Sequence, residues 1–272
     1  MDSRPIGVFD SGLGGLTCVA ELMKVLPDED IVYFGDTARV PYGTRSRNTI
    51  IEYAQQDAAF IRNKGVKLMI AACGTVSSAL GDVDISGGLP FTGVVEPAAV
   101  EAVNAAENGI IGVIGTAATI ASGAYEASIK RISPDIKVYS QACPLFVPLV
   151  ENGFTDKNDI VVKEIVRRYL EPIKASGADV LIMGCTHYPH LADAIADMLG
   201  DVKLISSGAA AARYAKRLII EGSMQSGRDG HGKISCYTSD SAEKFRENAA
   251  LFFGNGFDGT VDRITIEELV KT

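Results

Sequence analysis

The feature that most constrains this chain is an alternation of short apolar runs with segments of helical periodicity, sustained from end to end. IGVFD (6–10) reads as a buried strand, a glycine-rich turn follows, LTCVAELMKVL (16–26) has helical periodicity, and IVYFGD (31–36) returns to strand. That is a βαβ unit. Between Asn48 and Lys64, the residues Ile50, Ile51, Ala54, Ala58 and Ile61 fall on one helical face, and Gly65 stands where a C′ residue belongs. VKLMIAA (66–72) is the next buried strand. The pattern predicts an α/β protein with mainly parallel sheets, whose ligands bind beyond the carboxyl ends of the strands.

The chain also repeats itself. IGVFDSG from Ile6 finds a counterpart in IGVIGTA from Ile111, an offset of 105, and Cys73 and Cys185 are separated by 112 residues. Similar offsets predict two pseudo-symmetric α/β domains with a shared cleft between them. After Ser207, SGAAAARYAKRLIIEG reads as a helix, KISCYTSD as a strand, SAEKFRENAALFF as a helix and TVDRITI as a final strand, returning to the first domain. The expected division is therefore residues 1–96 plus 208–272 for the first domain and 97–207 for the second. Gly222 to Gly232 reads as a flexible loop.

Composition narrows the class of function. With 272 residues and 47% of them hydrophobic, a sizeable core is available and disorder is excluded. Net charge is −8 with no block of like charge, so a nucleic-acid partner is not expected. MDSRPIGVFD lacks a basic-then-apolar signal, and the longest uncharged run, Gly109 to Tyr125, is diluted by Gly, Ser and Thr. A cytoplasmic location and no membrane association are expected. Five cysteines without a CxxC suggest reduced thiols rather than a disulfide framework or a zinc ribbon.

Two of those cysteines occupy matching places. LMIAACGTVSS (68–78) and LIMGCTHYPH (181–190) each end a strand on a cysteine followed by small polar residues. At a helix N-terminus the dipole and free N–H groups lower a thiol pKa from about 8.5 toward neutrality, so such a thiol can serve as a base. A buried, inert cysteine is the plainer reading for either one alone. Cys18, Cys143 and Cys236 read as structural. Asp10 and Asp36 close the first two strands and can act as acid, orienter or turn cap. DSGLGG, with Asp36 at the end of the next strand, also admits a dinucleotide site, but Thr17 replaces the third glycine and Asp10 would face the pyrophosphate. Cys185, His187 and His190 lack a second pair at ligand spacing, so no metal is expected.

FDSGLGGL (9–16), YFGDTARVPYG (33–43), AACGT (71–75), VVEPA (94–98), CPLFVPLVENG (143–153) and GCTHYP (184–189) together resemble the glutamate racemases of the cofactor-independent aspartate/glutamate racemase superfamily. The resemblance implies an isomerase without cofactor, a homodimer, and supply of D-glutamate for peptidoglycan and hence cell-wall biogenesis. It implies a two-base reaction in which Cys73 works on D-glutamate and Cys185 on L-glutamate. Asp10 and His187 resemble the groups that tune these thiols, with Asp36 and Glu151 as further auxiliary candidates. Ser11, Tyr42, Gly43, Gly74, Thr75, Thr116, Thr119 and Thr186 resemble substrate-holding positions, as does Asp10. A racemase for aspartate or another amino acid, and a non-catalytic ligand-binding protein, are the alternatives. Gly74 departs from the asparagine common in the family; if glycine merely opens room, Gly74→Asn should restore a substrate contact and lower KM.

Overall fold

The computed structural model describes residues 1–253 and 257–271. It begins with β1 (Ile6–Asp10), α1 (Leu16–Val25), β2 (Ile31–Gly35), α2 (Arg47–Asn63), β3 (Leu68–Ala71), α3 (Gly74–Leu80), β4 (Phe91–Thr92) and α4 (Val95–Ala105). There follow β5 (Ile110–Gly115), α5 (Ala117–Ala121), α6 (Ala124–Ile132), β6 (Lys137–Ala142), α7 (Phe146–Glu151), α8 (Ile160–Ser176), β7 (Val180–Met183), α9 (Ala192–Leu199) and β8 (Lys203–Ser206). The chain closes with α10 (Ser207–Glu221), β9 (Ile234–Thr238), α11 (Ala242–Phe253), β10 (Thr260–Arg263) and α12 (Ile266–Val270).

The strands form two sheets, β10-β9-β2-β1-β3-β4 and β6-β5-β7-β8, in which every pair is parallel. The order β2-β1-β3-β4 within the larger sheet matches the whole of the smaller one. The repeat seen in the sequence is thus a repeat of topology, and Cys73 and Cys185 each stand two residues beyond equivalent strands, β3 and β7.

Parallel sheets covered on both faces need strands that are apolar on both sides. β1 meets this requirement, sending Ile6 and Val8 into a core shared with α1 and α10 and Phe9 into another shared with α2. In the smaller sheet Ile111 and Val113 face α4 and α6, and Ile114 faces α8. The alanine run 209–212 lets α10 lie closely against both α1 and α4. A Cβ on Gly208 would approach Cys18 Cβ to 3.3 Å, which accounts for Cys18 as a packing residue.

Helix α2 falls one residue earlier at each end than expected, because Ser46 accepts a hydrogen bond from the Thr49 amide at its start and Gly65, at φ +68°, follows its end. The reading TVDRITI as one strand needs correction. β10 stops at Arg263, and Thr265 begins α12 through a reciprocal capping box with Glu268. The T-x-x-E spacing was present in the sequence as a helix signal. The loop 222–232, expected to be flexible, is pinned: Arg228 pairs with Asp30, the Ser226 amide donates to Glu29, and the buried Lys67 ammonium donates to the Met224 carbonyl. No helix among the described residues is long and apolar enough to cross a membrane.

Candidate active site

Beyond the carboxyl ends of β1, β3, β5 and β7 lies a cavity of about 400 Å³, within the size range of small-molecule sites. Both cysteines line it. Ser11, Gly12 and the segment Val40–Thr44 form one wall, and Thr116, Ala117, Cys143, Pro144, Val147, Pro148 and Glu151 form the other. Gly74, Thr75, Thr186 and His187 flank the two thiols.

Cys73 occupies the N-cap of α3 with extended backbone, and its Sγ lies 3.5 Å from Ser11 Oγ. The helix start does not dominate its acidity. Burial and the neighbouring Asp10 charge push the thiol up to about 12, against the smaller opposite pull of Ser11 and the Val76 amide. The expectation of a thiol shifted toward neutrality is therefore reversed for Cys73: α3 spans only Gly74–Leu80, and desolvation of a thiolate outweighs its dipole.

Cys185 has a different environment. It is followed by a turn and a single 3₁₀ turn, Tyr188–Leu191, rather than by an α-helix start. Its Sγ lies 3.9 Å from His187 Nδ1, and His187 Nε2 lies 3.1 Å from Glu151 Oε1. Burial alone would depress His187, but its contacts with Cys185 and Glu151 and the charge of Asp10 raise it to about 10. Phe252 packs edge-on against the rings of both His187 and His190.

Asp10 is buried behind the cysteines. Its Oδ1 accepts from the Gly12 amide at 2.8 Å, and burial lifts its carboxyl above the usual range against the pull of His187. Asp36 does not reach the cavity wall. It accepts from Tyr42 Oη, from Arg39 Nε at 2.5 Å and from Ser239 Oγ at 2.8 Å. Its place is behind Tyr42, because the loop after β2 folds back onto α2. Asp57 of α2 completes this buried cluster, 3.1 Å from Tyr42 Oη and 3.0 Å from Arg39 Nη2. Burial and the Asp36 charge raise Asp57 well above the ordinary carboxyl range. Sequence reasoning missed Asp57, although an acid three residues after Ala54 lies on the apolar face of that helix and signalled a buried polar role.

The threonines form a chain across the cleft. Thr75 Oγ1 lies 3.0 Å from Thr116 Oγ1, which lies 3.0 Å from Thr119 Oγ1. Thr119 stands behind Thr116 and does not itself line the cavity. Cys143, expected to be structural, is buried, its backbone carbonyl accepts from Tyr188 Oη at 2.9 Å, and it also forms part of the wall.

Gly74 carries the sharpest correction. A Cβ there would stand 2.1 Å from the Gly184 carbonyl oxygen, so the glycine leaves no room and instead seats one backbone turn on the other. Gly74→Asn is accordingly expected to displace the turns rather than restore a contact. The glycine-rich loop likewise folds onto protein. A Cβ on Gly14 would meet Thr186 Oγ1 at 2.2 Å, and Tyr33 Oη bonds the Gly12 carbonyl at 2.7 Å, which removes the space a dinucleotide would need. No group of three or more His, Cys, Asp or Glu side chains that could hold a metal occurs among the described residues.

Fold and site define a two-sheet α/β protein with paired thiols in one cleft, an arrangement it shares with amino-acid racemases. The family model for Asp/Glu/hydantoin racemases matches residues 16–215. The chain is 41% identical over 269 residues to a glutamate racemase of Geobacter metallireducens, covering 98% of each chain. It is 42% identical to one of Aquifex aeolicus, covering 92% of this chain and 94% of that one. Among solved structures, the glutamate racemase of Francisella tularensis in complex with D-glutamate superposes with a TM-score of 0.91 at 38% identity, covering all of both chains. This chain belongs to the Asp/Glu/hydantoin racemase family.

Proposed function

We propose that the protein interconverts L- and D-glutamate by a two-base proton transfer at Cα. The observation that carries this reading is the pair Cys73 and Cys185, set at equivalent strand ends in one cavity. The similarity to glutamate racemases, one of them a complex with D-glutamate, supports the choice of substrate. Inversion needs an acceptor on one face of Cα and a donor on the other, and one thiolate with one thiol supplies both. With Cys73 pushed up to about 12, that residue is a thiol at neutral pH and is the donor in the resting site. Cys185, beside a protonated His187 held by Glu151, is the base. In the L-to-D direction the proton leaves toward Cys185 Sγ and a new one arrives from Cys73 Sγ, and in the reverse direction the two sulfurs exchange roles.

The developing carbanion requires aimed donors in a water-poor cleft. Hydroxyls of Ser11, Thr75, Thr116 and Thr186, with the backbone of Gly43, are the proposed substrate-holding groups, and Tyr42 is fixed beside them by Asp36 and Asp57. Thr119 supports Thr116, and Asp10 tunes both thiols. The two domains, residues 1–96 with 208–272 and residues 97–207, close on the substrate. A cytoplasmic homodimer supplying D-glutamate to peptidoglycan synthesis is the corresponding cellular role.

The test is to incubate purified protein with L-glutamate in D2O without added cofactor and to follow optical rotation and Cα deuteration. Loss of rotation with deuterium in the D-product is expected. Exchange of aspartate in place of glutamate, or no exchange of either, would overturn the assignment.

A further inference from the structure

The turn that carries Cys185 is gripped by the first sheet's loops at two points. On one side the Gly74 backbone sits directly against the Gly184 carbonyl, with space for no side-chain atom. On the other, Thr17 Oγ1 of α1 lies 3.0 Å from the Thr186 carbonyl and 2.8 Å from the Gly14 carbonyl, tying the glycine-rich loop to the same turn. Gly74 directly follows one thiol, and Gly184 directly precedes the other. The position of one backbone turn on the other therefore decides the gap in which Cα must sit between two sulfurs.

We infer that Gly74 and Thr17 are positioning residues that set the separation of the two thiols. Neither touches the transferring proton. Gly74 limits how far apart the turns stand, because any Cβ would press on a backbone oxygen that has no rotamer by which to yield. Thr17 limits how far the Cys185 turn can recede. This also gives a reason for Thr17 where a dinucleotide loop would carry glycine: its hydroxyl is a tether between the two layers. The inference rests on the two-thiol reading above, and it makes the departure from the family's asparagine a matter of spacing.

Spacing can be read apart from general damage by comparing a two-base with a one-base reaction. Racemisation needs both sulfurs in reach of Cα at once. Elimination from a glutamate carrying chlorine on Cβ needs only one: the thiolate takes the Cα proton, chloride leaves Cβ, and the resulting enamine hydrolyses to the 2-oxo acid and ammonium. For Gly74→Ala, racemisation should fall about tenfold to a hundredfold while elimination changes less than about threefold, as expected when a reacting group is misplaced by a fraction of an ångström to an ångström. Thr17→Val, which exchanges the hydroxyl for a methyl group and leaves the core residues of α1 in place, should lower the same ratio by about two- to fivefold.

The wild type separates the two levels of argument. If it does not exchange or invert glutamate, the functional reading fails. If it does, and both variants keep the wild-type ratio, or lose the two reactions in proportion as a structural role would require, the positioning role is overturned. Should Gly74→Ala fail to fold, the ratio in Thr17→Val decides the matter alone.

Discussion

Topologically the two thiols are equivalent, and chemically they are not. Each follows a central parallel strand by two residues, yet Cys73 has Ser11 and a buried carboxylate for neighbours, whereas Cys185 has an imidazole held by Glu151. Repetition of a fold gives two positions in matching frames. The difference between their surroundings comes from side chains outside the repeat: Asp10 has Gly115 as its counterpart, and His187 has Thr75. Symmetric placement with asymmetric electrostatics is what a resting enzyme needs if one thiol must hold a proton while the other has lost it.

Removing either sulfur tests the symmetric half of this comparison. Cys73→Ser and Cys185→Ser should each lower racemisation by about 10³-fold or more, since a serine hydroxyl is a poor acid and base at neutral pH. Each variant should still eliminate chloride from the Cβ-chloro analogue of one enantiomer, and of opposite enantiomers. Racemisation at wild-type rate in either variant would end the two-base account.

His187→Asn probes the asymmetric half. Because L- and D-glutamate have equal free energies, kcat/KM must stay equal in the two directions in any variant, and only the one-base reactions can reveal the difference. Elimination through Cys185 should fall by about 10- to 100-fold and elimination through Cys73 by much less. Equal losses would show that His187 serves both thiols alike.

The acidity of the two sides can be compared directly. With its thiol near 12, Cys73 in the unliganded protein should be alkylated about tenfold faster per pH unit up to that value, tracking its thiolate fraction. Mass spectrometry of the modified peptides would check this; a plateau near pH 8 would contradict it. The His187 proton also links to stability. Its value rises from 6.5 to about 10 on folding, so its stabilising contribution is complete below about pH 6.5 and is lost as pH climbs through 10. The thermal midpoint of the wild type relative to His187→Asn should accordingly decline over that window.

The smallest effect concerns the wall beside Cys73. Asp57→Ala should cost about 1–3 kcal/mol by taking from Arg39 and Tyr42 one of the two buried carboxylates they share, leaving only Asp36, and should raise KM with little change in kcat. Asp57→Asn should be milder, because burial already favours the neutral acid. Denaturant unfolding and steady-state kinetics would measure both. A kcat loss in Asp57→Asn would assign the cluster a part in proton transfer.

The local code of this chain was readable without coordinates. Apolar runs of four to six residues between helical periods announced parallel strands, Gly65 marked the end of α2, and the repeated spacing of Cys73 and Cys185 placed both thiols at strand ends. These are properties of neighbours along the chain, set by periodicity and by backbone preference. The capping box of Thr265 and the buried face carrying Asp57 were equally written there, though less loudly.

What only the tertiary structure decided depends on residues far apart in sequence. Whether a cysteine at a strand end is more or less acidic follows from the balance of burial, dipole and nearby charge, and for Cys73 burial prevails. Asp36 faces Tyr42 and Arg39 instead of the cleft because α2 brings Asp57 and Gln56 to meet the same arginine. Gly74 looks like a vacancy in the sequence and is a contact in three dimensions, since the atom that forbids a side chain belongs to Gly184, 110 residues away. Spacing along a chain fixes where a group is offered; desolvation and close packing, which depend on everything surrounding it, fix what that group can do.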